Sequence, residues 1–507
     1  MLFNSYQFIF LFLPLTLLIF HTIGRRNYHK VAIAWLVGAS LFFYGWWNPA
    51  YLGLILFSII FNYGVGVILS GNDKNKPILI FGVVINLVLL GYYKYVNFFV
   101  NTANNIFDSN IIFNTVILPL AISFFTFQQI AYLVDAYRGE VKEYNFLHYC
   151  LFVTFFPQLI AGPIVHHKEM MPQFARDIVY RIGAKNLAIG ITIFAIGLFK
   201  KVVIADGISV YATPVFDAAE AGMVLTFFEA WAGVIAYTFQ LYFDFSGYSD
   251  MAIGIARMFG IKLPINFNSP YKALSIIEFW KRWHITLSRF LRDYLYIPLG
   301  GNRKGRVRRL INVMITMLLG GLWHGAGWTF VLWGGLHGIY IVINYAWNIK
   351  YNLNSRILAW SITMFFVIVA WVPFRSNSIE GALNMYASMA GIHGLSLPVS
   401  LDQRLGLVGE WLEKGGVVFH GAFVNGVFGG HFTGVAWIFI LGLMVTLSCN
   451  TQEMINFLDS KRKNSIGCQY HWLEWHPTRL WSVFISILLI FSILNLSGAS
   501  EFLYFQF

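Results

Sequence analysis

The stretch "LLGGLWHGAGWTFVLWGGLHG", Leu318–Gly338, carries two histidines, His324 and His337, and no Asp, Glu, Lys or Arg. A neutral imidazole near neutral pH is suited to taking a proton from a hydroxyl. Polar side chains inside an apolar span are costly and tend to mark sites or pathways. Gly320, Gly321, Gly325 and Gly327 flank His324, with Trp323 and Trp328 beside them. Small residues of this kind let backbone or a thin substrate come close. The alternative is a helix-packing histidine bonded to a neighbouring carbonyl. His337 shares the composition but follows thirteen residues later, and packing is the favoured reading there.

A second candidate lies in "IIEFWKRWHITLSRFLRD" (276–293). At 100° per residue, Trp280, Trp283, His284, Leu287, Phe290 and Leu291 share one face. Glu278, Lys281, Arg282, Arg289, Arg292 and Asp293 share the other. This predicts one amphipathic helix over 276–293, in the interface plane or against a bundle. His284 falls on its apolar face, where a polar group needs a partner inside the protein.

A third is "QLYFDFSGYSD" (240–250), in which Asp244, Tyr248 and Gln240 share a face if a helix runs through Gly247. It is either a structural polar network or a wall contacting a ligand. Asp135, after "SFFTFQQIAYLV", is read the same way, with Gln128 and Gln129 as its expected partners. His166 and His167 are adjacent, so their side chains point apart and chelation is disfavoured. The chain has no GxxxxGK[ST] loop, GxGxxG turn, GxSxG elbow or HExxH.

The elements that must position these residues are apolar helices. The 507 residues are 58% hydrophobic and 11% charged, against about 25% charged in soluble domains. Mean hydropathy is +0.63. Apolar runs of spanning length fall near 5–23, 31–47, 50–69, 77–98, 116–135, 146–162, 186–204, 226–243, 310–326, 328–348, 357–374, 434–449 and 480–497. We expect an all-α polytopic membrane protein with roughly eleven true spans and one integral domain over 1–507. Arg25, Arg26 and Lys30 follow the first run, which places that loop in the cytoplasm and the N-terminus outside. The net charge of +12 sits between apolar runs, notably in 272–309. It reads as orientation signals and anionic lipid contact, not nucleic-acid binding. The run "GGNRKGRVRR" (300–309) also offers cations for the phosphates of a nucleotide-bearing cosubstrate. Three cysteines without metal spacing imply no disulfide framework.

"FFPQLIAGPIVHHKEMMPQF" (155–174), "LYFDFSGYSDMAIGIARMFGIKLPINFNSPY" (241–271), "FWKRWHITLSRFLRDYLYIPLGGNRKG" (279–305), "GGLWHGAGWTFVLWGGLHG" (320–338) and the terminal "FLYFQF" (502–507) resemble the membrane-bound O-acyltransferases. The resemblance is to the bacterial branch that contains the alginate O-acetylation membrane protein. It implies a ring of tilted transmembrane helices, with in-plane helices, around a central tunnel. It places the family's hallmark histidine on His324 and its second polar position on His284. Trp323, Trp283, Asp244, Tyr248, Gln128 and Arg289 are the expected substrate contacts. No cofactor or metal is expected to be bound, and acetyl-CoA is the expected cosubstrate.

Further implied are a multi-pass protein of the bacterial inner (cytoplasmic) membrane and an extracytoplasmic polysaccharide acetyltransferase partner. A polysaccharide synthesis or export complex and an alginate- or cellulose-like acceptor complete the expectation. D-alanyl or peptidoglycan acyl transfer, a transporter and a scaffold of an export complex are the alternatives.

Overall fold

The computed structural model describes all residues except 72–74, 142–144, 351–354, 420, 422, 424–430, 456–473, 499–501 and 504–507. The regular structure of the described chain is helical apart from two-residue strands, Leu395–Ser396 and Val417–Val418, paired in parallel. Among the described residues, six helices are long and apolar enough to cross a membrane: Phe8–Arg25, Tyr51–Leu69, Lys76–Phe107, Ala184–Glu220, Trp328–Trp347 and Arg356–Arg375. Three shorter apolar helices, His29–Gly45, Phe432–Leu447 and Arg479–Leu494, join them. Phe10, Leu18, Ile60 and Phe81 are exposed on the outside of this bundle. That is the surface a bilayer covers without cost.

At the centre stands Phe227–Met258, a 32-residue helix buried along nearly its whole length. Thr226 and Glu229 form a reciprocal capping box that fixes its start. It packs on Ala184–Phe199 through glycines spaced seven apart on both helices. A Cβ on Gly190 would stand 2.6 Å from the Gly254 carbonyl oxygen, and one on Gly197 would stand 2.6 Å from that of Gly247. Only glycine permits this backbone contact. The helix therefore continues through Gly247, and the 226–243 run is part of a longer buried element.

Two expected helices are broken. The 146–162 run divides into Phe146–Thr154 and Phe156–Leu159 at Phe155, which is non-helical. Pro157, in the first turn of the second helix, has no N–H to continue the bonds of the first. The 276–293 segment is not one helix but Ile276–Arg282, Ile285–Leu291 and a π-helical turn at Arg292–Tyr296. Between the first two, Trp283 is extended and His284 is left-handed at φ +41°. The helical-wheel face is lost there. Asn266 explains the break: its backbone carbonyl accepts from Ile285 N at 2.9 Å, and its side-chain Oδ1 accepts from Thr286 N at 3.3 Å. These bonds replace the ones a continuous helix would make.

Three of the four π-helical turns among the described residues carry a polar side chain that the packing uses; the fourth, Phe8–Phe12, is wholly apolar. Gly91–Tyr95 holds Lys94, Lys200–Ala205 holds Lys201, and Arg292–Tyr296 holds Tyr294. Such turns frequently accompany functional positions.

The loop after Arg25 shares a face with the charged loops. His29 pairs with Asp177, Gln173 bonds Lys262, Arg289 pairs with Glu169, and Lys168 pairs with Glu140. On the opposite face Tyr6 bonds the Ile493 carbonyl, and Arg375 meets Asp217. We refer to these as the basic and the opposite face.

Candidate active site

His324 is the last residue of Arg306–His324, which forms a tight hairpin with Trp328–Lys350. A Cβ on Gly321 would lie 2.3 Å from the Phe330 carbonyl oxygen, and one on Gly325 would lie 2.1 Å from the Phe330 ring. Gly321 and Gly325 thus serve helix contact, the backbone approach and not the substrate approach of the two that small residues allow here. The space is already taken by the returning helix. Trp328 faces outward beside Phe98 and does not shape the site. Trp333, which the sequence reading passed over, does: it is 1% exposed, and its ring centre lies 4.9 Å from that of His324. Phe374 closes another side at 5.4 Å.

The broken helix delivers His284, fully buried, to this point. Its ring centre lies 6.3 Å from that of His324 and 6.2 Å from Trp323. His284 Nδ1 lies 3.1 Å from Asn266 Oδ1. Sequence separation gave no hint of this pairing between two distant segments. His337 is buried outside the pair and accepts from Trp280 Nε1 at 3.3 Å.

Lys94 is the residue the sequence reading missed. Its amine donates to the carbonyls of Trp323 at 2.5 Å and His324 at 3.2 Å, and to Ser123 Oγ at 3.3 Å. The last carbonyls of a helix have no partner within it, and Lys94 supplies one from another helix. The signal was a lone lysine within the 77–98 apolar run. Lys94 also lies in the wall of a cavity of about 170 Å³ that includes Trp47, Tyr51 and Ile117–Phe124. Trp47 and the 117–121 connection follow spans that run toward the opposite face.

On the basic face a cavity of about 460 Å³ is lined by Asp135, Arg138, Glu140, His166, Lys168, Glu169, Arg289, Asp293 and Tyr294. Arg289 is held bidentately by Glu169 at 2.7 and 2.9 Å. Lys168 is kept protonated by its bond to Glu140, which raises its pKa. Tyr294 donates to Asp135 Oδ1 at 2.7 Å, with His166 Nδ1 at 3.0 Å from the same hydroxyl. Asp135 thus pairs with Tyr294 and His166, and the expected Gln128 and Gln129 bonds are corrected. Gln128 donates to the Phe152 carbonyl and Gln129 to Ser58.

The other sequence candidates have partners other than the two histidine rings. Asp244 is ion-paired with Lys201 at 2.9 Å, and Lys201 also bonds Asp206 at 2.7 Å. The Leu503 amide donates to Asp244 at 3.2 Å. Tyr248 is stacked between Phe3 and Phe502. Trp283 packs among Phe267, Phe279 and Trp371. Removing one member of a buried ion pair costs about 3–5 kcal/mol. Asp244→Ala should therefore lower the unfolding temperature in detergent sharply, while transfer per folded molecule is kept. Unchanged stability with lost transfer would return Asp244 to the reaction. Among the described residues no group of three or more His, Cys, Asp or Glu could hold a metal. Cys150 is free and buried.

Residues 109–380 match the model of the membrane-bound O-acyltransferase family. A peptidoglycan O-acetyltransferase of Helicobacter pylori is 49% identical over 432 residues, 78% of this chain and 81% of that protein. A probable alginate O-acetylase of Pseudomonas aeruginosa is 42% identical over 401 residues, 77% of this chain and 75% of that protein. A teichoic acid D-alanyltransferase of Streptococcus thermophilus is 32% identical over 241 residues, 45% of this chain and 57% of that protein. With a bundle of apolar helices around two buried histidines, and a family match over more than half its length, the chain belongs to the membrane-bound O-acyltransferase family and is a membrane acyltransferase.

Proposed function

We propose that the chain takes an acetyl group from cytoplasmic acetyl-CoA and delivers it for O-acetylation of a glycan outside the bacterial inner membrane. The observation that carries this reading is a buried histidine pair in a bundle that holds two cavities. One is the charged cavity of the basic face. The other reaches Lys94, which touches the His324 carbonyl. Passing only an acetyl group spares the protein from moving the charged phosphates of CoA through the bilayer, where charge is costly.

In the proposed step His324 takes the proton of the acceptor hydroxyl. The hydroxyl oxygen bonds to the thioester carbonyl carbon, the carbon–sulfur bond breaks, and the thiolate leaves with that proton. His284 orients the donor or polarises its carbonyl. An extracytoplasmic acetyltransferase partner receives the acetyl group and passes it to the polymer.

The acceptor expected from sequence was an alginate- or cellulose-like exopolysaccharide. The greater identity to a peptidoglycan O-acetyltransferase, 49% against 42%, favours wall glycan as the acceptor to test first. The test supplies radiolabelled acetyl-CoA to inverted membrane vesicles, whose cytoplasmic face is outward, and measures base-labile label on glycan. Label should enter inverted vesicles and not right-side-out ones. Equal labelling from either side, or none, would defeat the reading.

The exposed cations Arg303, Lys304, Arg306 and Arg308 stand on the basic face. Replacing all four with Gln should raise the KM for acetyl-CoA about tenfold and flatten its dependence on salt. An unchanged KM would remove these cations from donor binding.

A further inference from the structure

The hydrogen bonds around Asn266 fix which nitrogen of His284 carries its proton. Asn266 Oδ1 lies 3.3 Å from Thr286 N, 2.8 Å from Thr286 Oγ1 and 3.1 Å from His284 Nδ1. A backbone N–H can only donate, so the Asn266 atom at this point is the oxygen and not the amide nitrogen. The His284 Nδ1 facing that oxygen must then donate, and a neutral ring protonated there leaves Nε2 as an acceptor. Asn266 is itself fully buried, and Thr286 Oγ1 is held in turn by the Ile164 amide at 3.1 Å. The arrangement is therefore fixed from two further segments.

An acceptor nitrogen cannot donate to a carbonyl oxygen. Of the two roles open to His284 in the proposed reaction, polarising the thioester is thus disfavoured. What an acceptor can hold is an N–H of the donor. The amide nearest the reacting carbon in a pantetheine arm lies two carbons from the sulfur. His284 stands 6.3 Å from His324, ring centre to ring centre. The two rings meet edge to face at that separation, which is comparable to the span from a thioester carbon to its cysteamine nitrogen. One arm lying along both rings therefore meets the group that takes the hydroxyl proton and the group that holds the arm.

We propose that Asn266 is a positioning residue that keeps His284 in its Nδ1–H form, so that His284 binds the cysteamine amide N–H of the thioester donor. The inference rests on the acyl-CoA reading above and adds no covalent step to it.

The test pairs a change in the enzyme with a change in the donor. In native-cell membrane vesicles holding the full chain, KM is measured for acetyl-CoA and for acetyl-CoA methylated on the cysteamine amide nitrogen. The wild type should show a KM about five- to tenfold higher for the methylated donor, the effect of one lost hydrogen bond. Asn266→Ala should raise the KM for acetyl-CoA by a similar factor, keep kcat within about threefold, and show no further penalty for the methylated donor. Asn266→Asp, which retains an oxygen at that place, should restore the wild-type pattern.

If Asn266→Ala does not accumulate, His284→Leu must abolish the methylation penalty instead. An equal penalty in wild type and variant overturns the proposal, as does a fall in kcat with an unchanged KM. His324→Ala keeps the two readings apart. An active His324→Ala enzyme removes the transfer reading, whereas an inactive one with an unaltered methylation penalty in Asn266→Ala removes only this inference.

Discussion

His324→Ala should lower the rate of acetyl transfer by about a hundred- to ten-thousandfold, the range that a positioned proton acceptor contributes. That corresponds to about 3–5 kcal/mol of barrier. The ring is buried between Trp333, Phe374 and Trp323, so truncation also leaves a cavity. Its cost lies within the few kcal/mol found for large-to-small changes in packed interiors. His324→Gln fills more of that volume and removes the imidazole, so it separates packing from chemistry. The prediction is that both variants lose transfer to a similar degree while His324→Gln keeps more of the wild-type thermal stability. Donor binding, read by retention of labelled acetyl-CoA on solubilised protein, should survive in both. Wild-type levels of ester-linked acetate on glycan in either variant would end the catalytic assignment. A graded loss of solute flux with no dependence on a thioester would instead favour the transporter alternative.

Much of the fold was legible because lipid imposes a simple rule on sequence. A helix that faces hydrocarbon must be apolar over a spanning length, and runs such as 50–69 and 357–374 correspond closely to Tyr51–Leu69 and Arg356–Arg375. The wheel over 276–293 failed because a helical wheel assumes continuous backbone. The break at His284 is held by Asn266, a residue ten positions before the segment begins. No periodicity within the segment records that bond.

The glycines around His324 were legible only in part, for a related reason. Composition shows that something comes close, but not what. Of the two approaches that composition allowed, it is Trp328–Lys350, through its backbone and the Phe330 ring, that comes close. Asp244 shows the converse error. Its acidic character was correctly singled out as unusual, but its partner Lys201 sits in a different apolar run and neutralises it. Lys94 was hidden in the same way, one charge in a run whose average hydropathy passed for a plain span.

Lys94→Met should be nearly as damaging as the loss of His324, although Lys94 places no atom on the histidine ring. Methionine replaces the stem of the lysine but offers no donor. Two carbonyls, those of Trp323 and His324, would lose a partner in a buried setting. Each such loss costs about 1–3 kcal/mol. The last turn of Arg306–His324 has one way to relieve this: it can rotate its carbonyls toward the cavity beside Trp47 and Tyr51. Rotation of that turn carries the His324 ring with it, and a misplacement on the scale of 1 Å costs about a hundredfold in rate.

The expected result is therefore a kcat about a hundredfold lower. The KM for acetyl-CoA should stay near wild type, because the charged cavity of the basic face shares no lining residue with the cavity of Lys94. The double variant with His324→Ala should be no slower than His324→Ala alone, since both changes act on one imidazole. Wild-type kcat in a folded Lys94→Met protein would show that the turn holds its geometry unaided. A donor KM that rises in step with the loss would place Lys94 on the donor's path instead of behind the base.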